Sequence, residues 1–474
     1  MSAGNGGANG ATAEAENATA TLARFVTGLR YEVLPPQAVT KVRQLVLDAL
    51  GCAIGAWREE PRKAGIAAGV AGAFPAGAQQ AWVIGGPACH PAAAALANGM
   101  LINATDNDDT HKRALAHLGS VLLPSALAAA QSHNLDGRAL IAAIVAGYEV
   151  ASRVGMAVMP THYRFWHSTG TNGTFGAAAA VANAWRLDTA RTRNALGLAG
   201  TQAAGLNTFF ESGDDSKSVH PGKAAMNGML AALLAAEGAT APPDILGHPK
   251  GYLAAYSLEP KADVLIDGLG ERWEVLSNGF KPYPSILASH SPIGASLAIA
   301  RSEDFDVSRV RSVEVRTYAT VKSHFSSKSV ETEMAARLSV PYCVAVALSD
   351  GTVDQAQFSP ARLADPELRA LLQNVEIVAD PDLTALYPEK FPARVIVTMD
   401  DGRQVEEMFM YPKGDPANPL SDEELEAKFR RNLQGVVDEA ETTRLLEVVG
   451  ALERHGALDL RVRRIDNATG ARDV

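Results

Sequence analysis

One short segment, residues 105–120 (TDNDDTHKRALAHLGS), places several groups that can transfer protons directly after an apolar, alanine-rich run. Its side chains include types that act as general acids or bases, or that orient them: Asp106, Asp108, Asp109, Thr110, His111, Lys112, Arg113 and His117. Asp and Thr also cap helices, so a solvated loop that caps the next helix is the competing interpretation. The segment alone favours the loop, because charge clusters lie on surfaces more often than in active sites.

Two other segments carry hydroxyl and imidazole groups that helix packing does not require. Residues 166–173 (WHSTGTNG) precede an apolar run, and backbone N–H groups at a helix start suit a carboxylate or phosphate. His167 there is either a base or a hydrogen-bonded loop histidine, and Thr169 is a candidate substrate ligand. Tyr342, in the run 339–342 (SVPY), is either a general acid or a core tyrosine with a satisfied hydroxyl, which is the safer interpretation.

Two lysine-containing segments are candidate anion sites. In residues 214–223 (DDSKSVHPGK), Lys217 is a candidate ligand of an anion and His220 can titrate near neutrality. An exposed loop between helices is the alternative interpretation of this segment. Prolines fix residues 281–285 (KPYPS) in an extended form, which would present Lys281 on a rigid hinge.

The overall composition excludes several classes of protein. The net charge of −10 argues against binding to nucleic acid or to an anionic membrane, so an anionic substrate would need a local cationic pocket. The three cysteines have no paired spacing, which indicates a reducing compartment, and we expect a cytoplasmic protein. Nucleotide-binding glycine motifs are missing, and no apolar run reaches the length of a membrane span. Residues 1–20 predict a disordered tail rather than a signal peptide.

The hydrophobic pattern predicts a mostly α protein. Apolar residues that recur every three or four positions predict helices at 36–57, 63–75, 91–104, 122–133, 138–156, 174–186, 189–204 and 222–238. Alternation predicts strands at 310–318 and 375–378 and a hairpin of 394–399 with 403–410, with a helix at 335–349. Ser421 and Glu424 form a capping box that begins a C-terminal helix, and a second follows at 438–454.

These elements predict a large all-helical domain at 21–272, a smaller α+β lid domain at 273–412, and C-terminal helices at 413–474 that return to the helical domain.

The polar segments, taken in order, resemble the MmgE/PrpD family, whose members include 2-methylcitrate dehydratase, cis-aconitate decarboxylase and iminodisuccinate epimerase. The resemblance extends from about residue 22 to about residue 453. It is carried by these motifs: Asn98-Gly99, D-x-D-D-T at 106–110, H-x-G-S at 117–120, Gly147-Tyr148-Glu149 with Arg153, H-x-T-G-T at 167–171, Lys217 with His220, Lys281-Pro282-Tyr283-Pro284, His290 and Ser339-Val340-Pro341-Tyr342. It implies a homodimer with its site in the cleft between the two domains, and no metal or organic cofactor.

The resemblance also implies the site residues, which are Asp106, Thr110, His117, His167, Lys217, Lys281 and Tyr342. The chain departs from the family pattern at His111-Lys112-Arg113, at Leu118, and in a spacing from Thr110 to His117 that is one residue longer than in the decarboxylase. Ile286 stands where that decarboxylase has a histidine, which counts against decarboxylation.

The resemblance favours a cofactor-independent hydro-lyase that acts on a small tricarboxylate such as 2-methylcitrate. Removal of a proton next to a carboxylate creates negative charge that the lysines would stabilise. Epimerisation of a dicarboxylate and decarboxylation of cis-aconitate are the alternatives, since the same groups serve all three reactions. A magnesium-dependent all-α synthase that uses the acidic motif, and a helical scaffold without catalysis, are the remote ones.

Overall fold

The computed structural model describes residues 17–212, 214–456 and 460–465, and most of them lie in helices. The α-helices are α1 (Ala18–Gly28), α2 (Pro36–Glu59), α3 (Pro61–Gly72), α4 (Pro91–Asn103), α5 (Gly119–Ser132), α6 (Gly137–Val158), α7 (Ser168–Ala184), α8 (Thr189–Gly200), α9 (Phe209–Ser212), α10 (Ser216–Ala236), α11 (Tyr252–Tyr256), α12 (His290–Ala300), α13 (Ala319–His324), α14 (Glu333–Arg337), α15 (Val340–Asp350), α16 (Pro360–Leu363), α17 (Pro366–Gln373), α18 (Pro381–Thr384), α19 (Asp422–Leu433) and α20 (Glu439–Gly450). The strands are β1 (Ala81–Trp82), β2 (Ala88–Cys89), β3 (Thr110–His111), β4 (Asn278–Gly279), β5 (Val310–Thr317), β6 (Val375–Ala379), β7 (Ala393–Met399) and β8 (Gln404–Phe409).

The eight helices predicted before residue 240 are confirmed, but two of them begin six residues earlier than the sequence indicated. Helix α7 begins at Ser168 and α10 at Ser216, so the polar motifs predicted as loops lie mostly in the first turns of helices. The glycines of α7 are packing sites: a Cβ at Gly173 would meet Val121 at 2.9 Å. Close approach of neighbouring helices thus offsets the low helix propensity of glycine here.

Other boundaries also required correction. The tail predicted at 1–20 is wrong for residues 18–20, which lie in α1 behind an N-cap formed by Asn17. The rest of that tail falls outside the described residues, apart from Asn17. The helix predicted at 335–349 is two helices, α14 and α15, separated by Ser339, whose side chain caps the second helix.

The four-stranded sheet confirms the predicted strands. Its order is β6-β5-β7-β8, in which β5 pairs parallel with β6 and antiparallel with β7. The β7–β8 hairpin turns at Asp400-Asp401-Gly402, and Gly402 has φ +88°, a conformation that glycine adopts without strain. Helices α12 and α15 pack against this sheet.

The buried apolar side chains form two clusters. One extends from Leu22 to Phe280 and includes Leu425, Phe429 and Leu433 of α19, while the other lies between Ala288 and Met399. The predicted capping box at the start of α19 is confirmed. The C-terminal helices therefore pack against helices of the first cluster, chiefly α2. The division into a helical domain and a lid stays a prediction, which these clusters support.

Helix α6 is apolar and long enough to cross a membrane by length and composition, which the sequence pattern did not indicate. Its 18-residue apolar window is completely buried within the described residues, between α5 and α7 among others, as expected of a core helix.

Candidate active site

Asp106 is the centre of a buried ionic cluster. It lies in the turn after α4 with φ +55°, a left-handed conformation that Asp tolerates better than most residues. Its Oδ1 accepts hydrogen bonds from Lys217 Nζ at 2.7 Å and from Lys281 Nζ at 2.6 Å. Burial alone would raise the pKa of Asp106, but the two ammonium groups outweigh it and hold this pKa below its usual value.

Local structure fixes the two lysines on the same oxygen. Lys217 comes from the first turn of α10, and Lys281 follows β4. Strand β4 pairs with β3, with Thr110 opposite Gly279, so this pairing holds the Lys281 segment against the acidic loop. Lys281 also donates to the backbone oxygen of Asp106 at 3.0 Å. Both lysines are almost fully buried.

His117 faces Asp106 and has a defined tautomer. Its Nδ1 lies 3.0 Å from the backbone oxygen of Asp109 and 3.2 Å from Thr110 Oγ1. A carbonyl oxygen can only accept, so Nδ1 carries the hydrogen, as assigned from this geometry. The lone pair is therefore on Nε2, which lies 3.8 Å from Asp106 Oδ1. A neutral histidine held in this way is suited to accept a proton.

The electrostatic surroundings keep His117 neutral. Burial, followed by the nearby charge of Lys281, lowers the pKa of His117 from 6.5 to about 4. Burial also lowers the pKa of His167 well below its usual value, and the neighbouring His220 and Lys217 act in the same direction. Both imidazoles are thus available as bases at neutral pH.

His167 and His220 form a hydrogen-bonded pair, with 3.0 Å between their Nδ1 atoms. One of these nitrogens donates and the other accepts, so when both rings are neutral one carries its hydrogen on Nδ1 and the other on Nε2. Thr169 Oγ1 accepts a hydrogen bond from the backbone N–H of His117 at 3.0 Å. Thr169 and His220 therefore hydrogen-bond to His117 and His167, and a direct contact of either with substrate stays a prediction.

Six of the nine predicted site residues line one cavity, which we call the inner cavity: Asp106, Thr110, His117, His167, Lys217 and Lys281. The rest of its wall is mostly aromatic and apolar, and apart from Ile286 none of these residues was predicted: Leu115, Tyr163, Phe210, Ile286, Leu287, Ala288, Tyr318, Thr320, Phe325, Tyr387 and Phe391. Ile286 was noted for its departure from the decarboxylase, and its side chain does lie in the wall.

One of the tyrosines in this wall, Tyr318, is a candidate proton donor. Among the described residues its buried hydroxyl has no hydrogen-bond partner, and its ring stacks on Tyr387 at 4.5 Å between centroids. Burial raises the pKa of Tyr318 well above its usual value, so the phenol stays protonated. Tyr318 is therefore a candidate acid. It was not predicted, because it directly follows β5 and belongs to the alternating pattern that predicted this strand.

The catalytic role suggested for Tyr342 does not fit its position. The Tyr342 hydroxyl donates to the backbone oxygen of Gln357 at 2.6 Å, and its ring packs near Phe358 in the second apolar cluster. A satisfied core tyrosine was the alternative interpretation, and the contacts match it. His290 is likewise buried, with Nε2 3.2 Å from the backbone oxygen of Ser285.

Asp108 and Asp109 lie behind the cavity and are structural. Asn103 Nδ2 contacts both carboxylate oxygens of Asp108, while Asp109 accepts from the Gly119 N–H and the Tyr148 hydroxyl. Burial, and then the adjacent charge of Asp108, raises the pKa of Asp109 from 3.8 to about 8. Asp109 therefore carries its proton at neutral pH.

We expect Asp109→Asn to become more stable relative to wild type as the pH rises. Because the folded-state pKa is raised, Asp109 favours folding at low pH, and this contribution is lost as the pH rises from 3.8 to about 8. Asn has no such proton to lose. The melting temperature of the variant, measured by calorimetry, should rise relative to wild type between pH ~5 and pH ~9. A difference that does not change with pH would contradict the protonated assignment.

The oxygen and nitrogen atoms of Asp106, Asp108 and His117 lie within 4.8 Å of one another, a spacing that metal ligands can have. Two ammonium groups already contact Asp106 Oδ1, and their charge disfavours a divalent cation at that oxygen. The donor set therefore fits an anion-binding cluster better than a metal site.

Comparison with known proteins shows which family models match this chain and which proteins are similar to it. The model of the MmgE/PrpD N-terminal domain matches residues 20–265, and that of the C-terminal domain matches residues 283–454. The chain is 29% identical to a cis-aconitate decarboxylase-like protein of Aspergillus oryzae, over 92% of this chain and 95% of that protein. It is 29% identical to a cis-aconitate decarboxylase of Aspergillus terreus, over 92% and 93%. An alkylcitrate dehydratase of a fungal species is 24% identical over 60% of each chain.

Proposed function

Because this chain belongs to the MmgE/PrpD family, we propose that it is a hydro-lyase that dehydrates a small tricarboxylate such as 2-methylcitrate without a cofactor. The observation that carries the proposal is the arrangement at Asp106, where two lysines and a neutral histidine meet in one cavity. The relatives are named for decarboxylation of cis-aconitate and for dehydration of an alkylcitrate, and both of these substrates are polycarboxylates. The two lysines of this cluster suit the binding of carboxylates.

The proposed reaction uses these groups in defined roles. His117 Nε2 takes a proton from the carbon next to a substrate carboxylate, and the electrons of that C–H bond form the new C=C bond. Lys217 and Lys281 stabilise the charge that develops on the carboxylate. The C–O bond on the neighbouring carbon breaks, and the hydroxyl leaves as water with the proton of Tyr318. What supports Tyr318 in this role is that its buried hydroxyl lacks a partner among the described residues.

Decarboxylation is the second candidate. It is favoured by the larger share of this chain that the decarboxylase relatives match. The relatives named cis-aconitate decarboxylase match 77% to 92% of this chain, whereas the alkylcitrate dehydratase matches 60%. Ile286 opposes it, since an apolar side chain lines the cavity where the resemblance places a histidine of the decarboxylase. We therefore keep the hydro-lyase as the principal proposal.

The decisive experiment supplies the purified protein with 2-methylcitrate, citrate and cis-aconitate in deuterated buffer and follows the products by NMR. A new alkene signal from either citrate supports the hydro-lyase. Release of carbon dioxide from cis-aconitate, with no alkene from the citrates, would replace it with the decarboxylase. Proton exchange or racemisation of a dicarboxylate, without either product, would replace it with an epimerase.

We expect the activity to survive excess EDTA. The two lysines supply the positive charge that a metal ion would otherwise provide, and both contact the carboxylate of Asp106. Initial rates are measured after prolonged dialysis against the chelator. Activity that is lost and then restored by added Mg²⁺ or Zn²⁺ would contradict the proposal and revive the metal-dependent alternative.

Two further features are proposed on the same basis. The resemblance implies a homodimer, and gel filtration with light scattering tests it. A cytoplasmic location fits the three cysteines, which are buried free thiols.

A further inference from the structure

A second cavity adjoins the inner one and has no role in the chemistry described above. We call it the outer cavity, and it is about 340 Å³ against about 80 Å³ for the inner cavity. Leu115 and Tyr387 line both cavities, so these two side chains form the wall between them. The cavity that contains the lysines therefore borders a larger space.

The outer cavity is mainly apolar. Met156, Met159 and Val264 line it together with the two shared residues. Both methionines are almost fully buried, and flexible thioether side chains adapt to apolar ligands of different shape. Such a lining recognises hydrocarbon rather than a further carboxylate, because an unpaired buried charge would be costly there.

The charged residues of the outer cavity are Arg113, Lys261 and Glu389, and all three are exposed. The Arg113 guanidinium lies 4.0 Å from the buried Glu274. Because the charged groups are exposed, the buried lining of the outer cavity is apolar and suits a hydrocarbon group. The carboxylates of a substrate would bind at the lysine cluster of the inner cavity.

The shared wall is held in place by the surrounding structure. Leu115 has φ +47°, which is uncommon for leucine and requires support from its neighbours. Tyr387 is held by its stack on Tyr318 and by an edge contact with Phe391 at 5.3 Å. Tyr387 therefore contacts both the outer cavity and the ring of the proposed acid, Tyr318.

We propose that the outer cavity is a subsite for an apolar substituent on the substrate, so that the preferred substrate is a polycarboxylate with an alkyl chain longer than methyl. This inference rests on the proposed function, because it places the carboxylates at Lys217 and Lys281. Leu115 and Tyr387 then determine which substituents pass from the inner to the outer cavity.

The test compares 2-methylcitrate with 2-hexylcitrate. Burial of added methylenes should raise kcat/KM of the wild type for the hexyl substrate by about ten-fold or more. Val264→Phe fills the outer cavity without touching the inner one, so it should lower kcat/KM for the hexyl substrate by about ten-fold and change that for the methyl substrate by less than about two-fold. Val33→Phe, at an exposed valine, is the matched control and should change neither.

A direct binding measurement keeps the test independent of the variant's folding. The protein is labelled with ¹³C-methyl methionine, and the signals of Met156 and Met159 are assigned by Met→Leu substitutions. We expect 2-hexylcitrate, but not 2-methylcitrate, to shift these two signals.

The possible outcomes separate the two proposals. Turnover of the methyl substrate, with no preference for hexyl or with Val264→Phe affecting both equally, overturns the subsite and leaves the hydro-lyase intact. If neither citrate is converted, the proposed function fails. The methionine signals then decide the subsite: a shift with 2-hexylcitrate supports it, and unchanged signals overturn it.

Discussion

His117→Gln should lower kcat by about 10²- to 10⁴-fold, the range that loss of a positioned general base produces. Glutamine retains a polar side chain of similar size but cannot take the proton from carbon. KM should change little, because the lysines that would bind the carboxylates remain in place. The wild-type kcat/KM should also fall as the pH drops through about 4, where His117 becomes protonated, and this acid limb should be absent from the residual activity of the variant.

His162→Gln is the matched control for this prediction. His162 is a buried histidine whose pKa is also lowered to about 4, chiefly by burial, but its ring bonds to Thr171 and to the backbone of Tyr256. This variant should lose stability while its kcat per folded molecule stays close to wild type. If His117→Gln keeps more than about a tenth of the wild-type kcat while His167→Gln loses about 10²-fold, the base is His167 instead.

The motifs include the polar residues that line the inner cavity, because the types of these residues already indicate what chemistry they can perform. Asp106, His117, Lys217 and Lys281 are titratable groups in unusual positions, and they converge on one cavity. The aromatic half was not predictable in this way. Tyr318 and Tyr387 are separated by 69 positions in the sequence and meet only because β5 and the segment before β7 are neighbours in space.

The hydrogen-bond partners of two predicted residues were not predictable for a related reason. Thr169 and His220 were selected for their types, but their hydrogen bonds go to the histidines rather than into the cavity. Residue type indicates which bonds a side chain can make, whereas only the fold decides which partner it meets. The starts of α7 at Ser168 and of α10 at Ser216 were missed for the same reason. Glycine and proline suggested loops there, whereas the close packing of helices and the contacts of a buried lysine favour helix.

Asp106→Asn should both destabilise the protein and make its stability respond to polycarboxylates. Asn tolerates the left-handed backbone at this position, so the change removes mainly the negative charge. Lys217 and Lys281 then stay buried without their anion, at a cost of about 3–5 kcal/mol in the free energy of unfolding. Citrate can place a carboxylate between the two ammonium groups. It should therefore raise the melting temperature of the variant more than that of wild type.

Asp48→Asn separates this effect from general destabilisation. Asp48 forms another buried pair, 2.5 Å from Lys428 Nζ, and it does not line the inner cavity. The two variants should lose similar stability in denaturant unfolding, because each leaves buried ammonium charge unpaired. Only Asp106→Asn should regain stability with citrate, since a ligand stabilises only a site that it reaches. Equal stabilisation of both variants by citrate would mean that the polycarboxylate does not bind at the lysine pair, and the proposed substrate orientation would then be wrong.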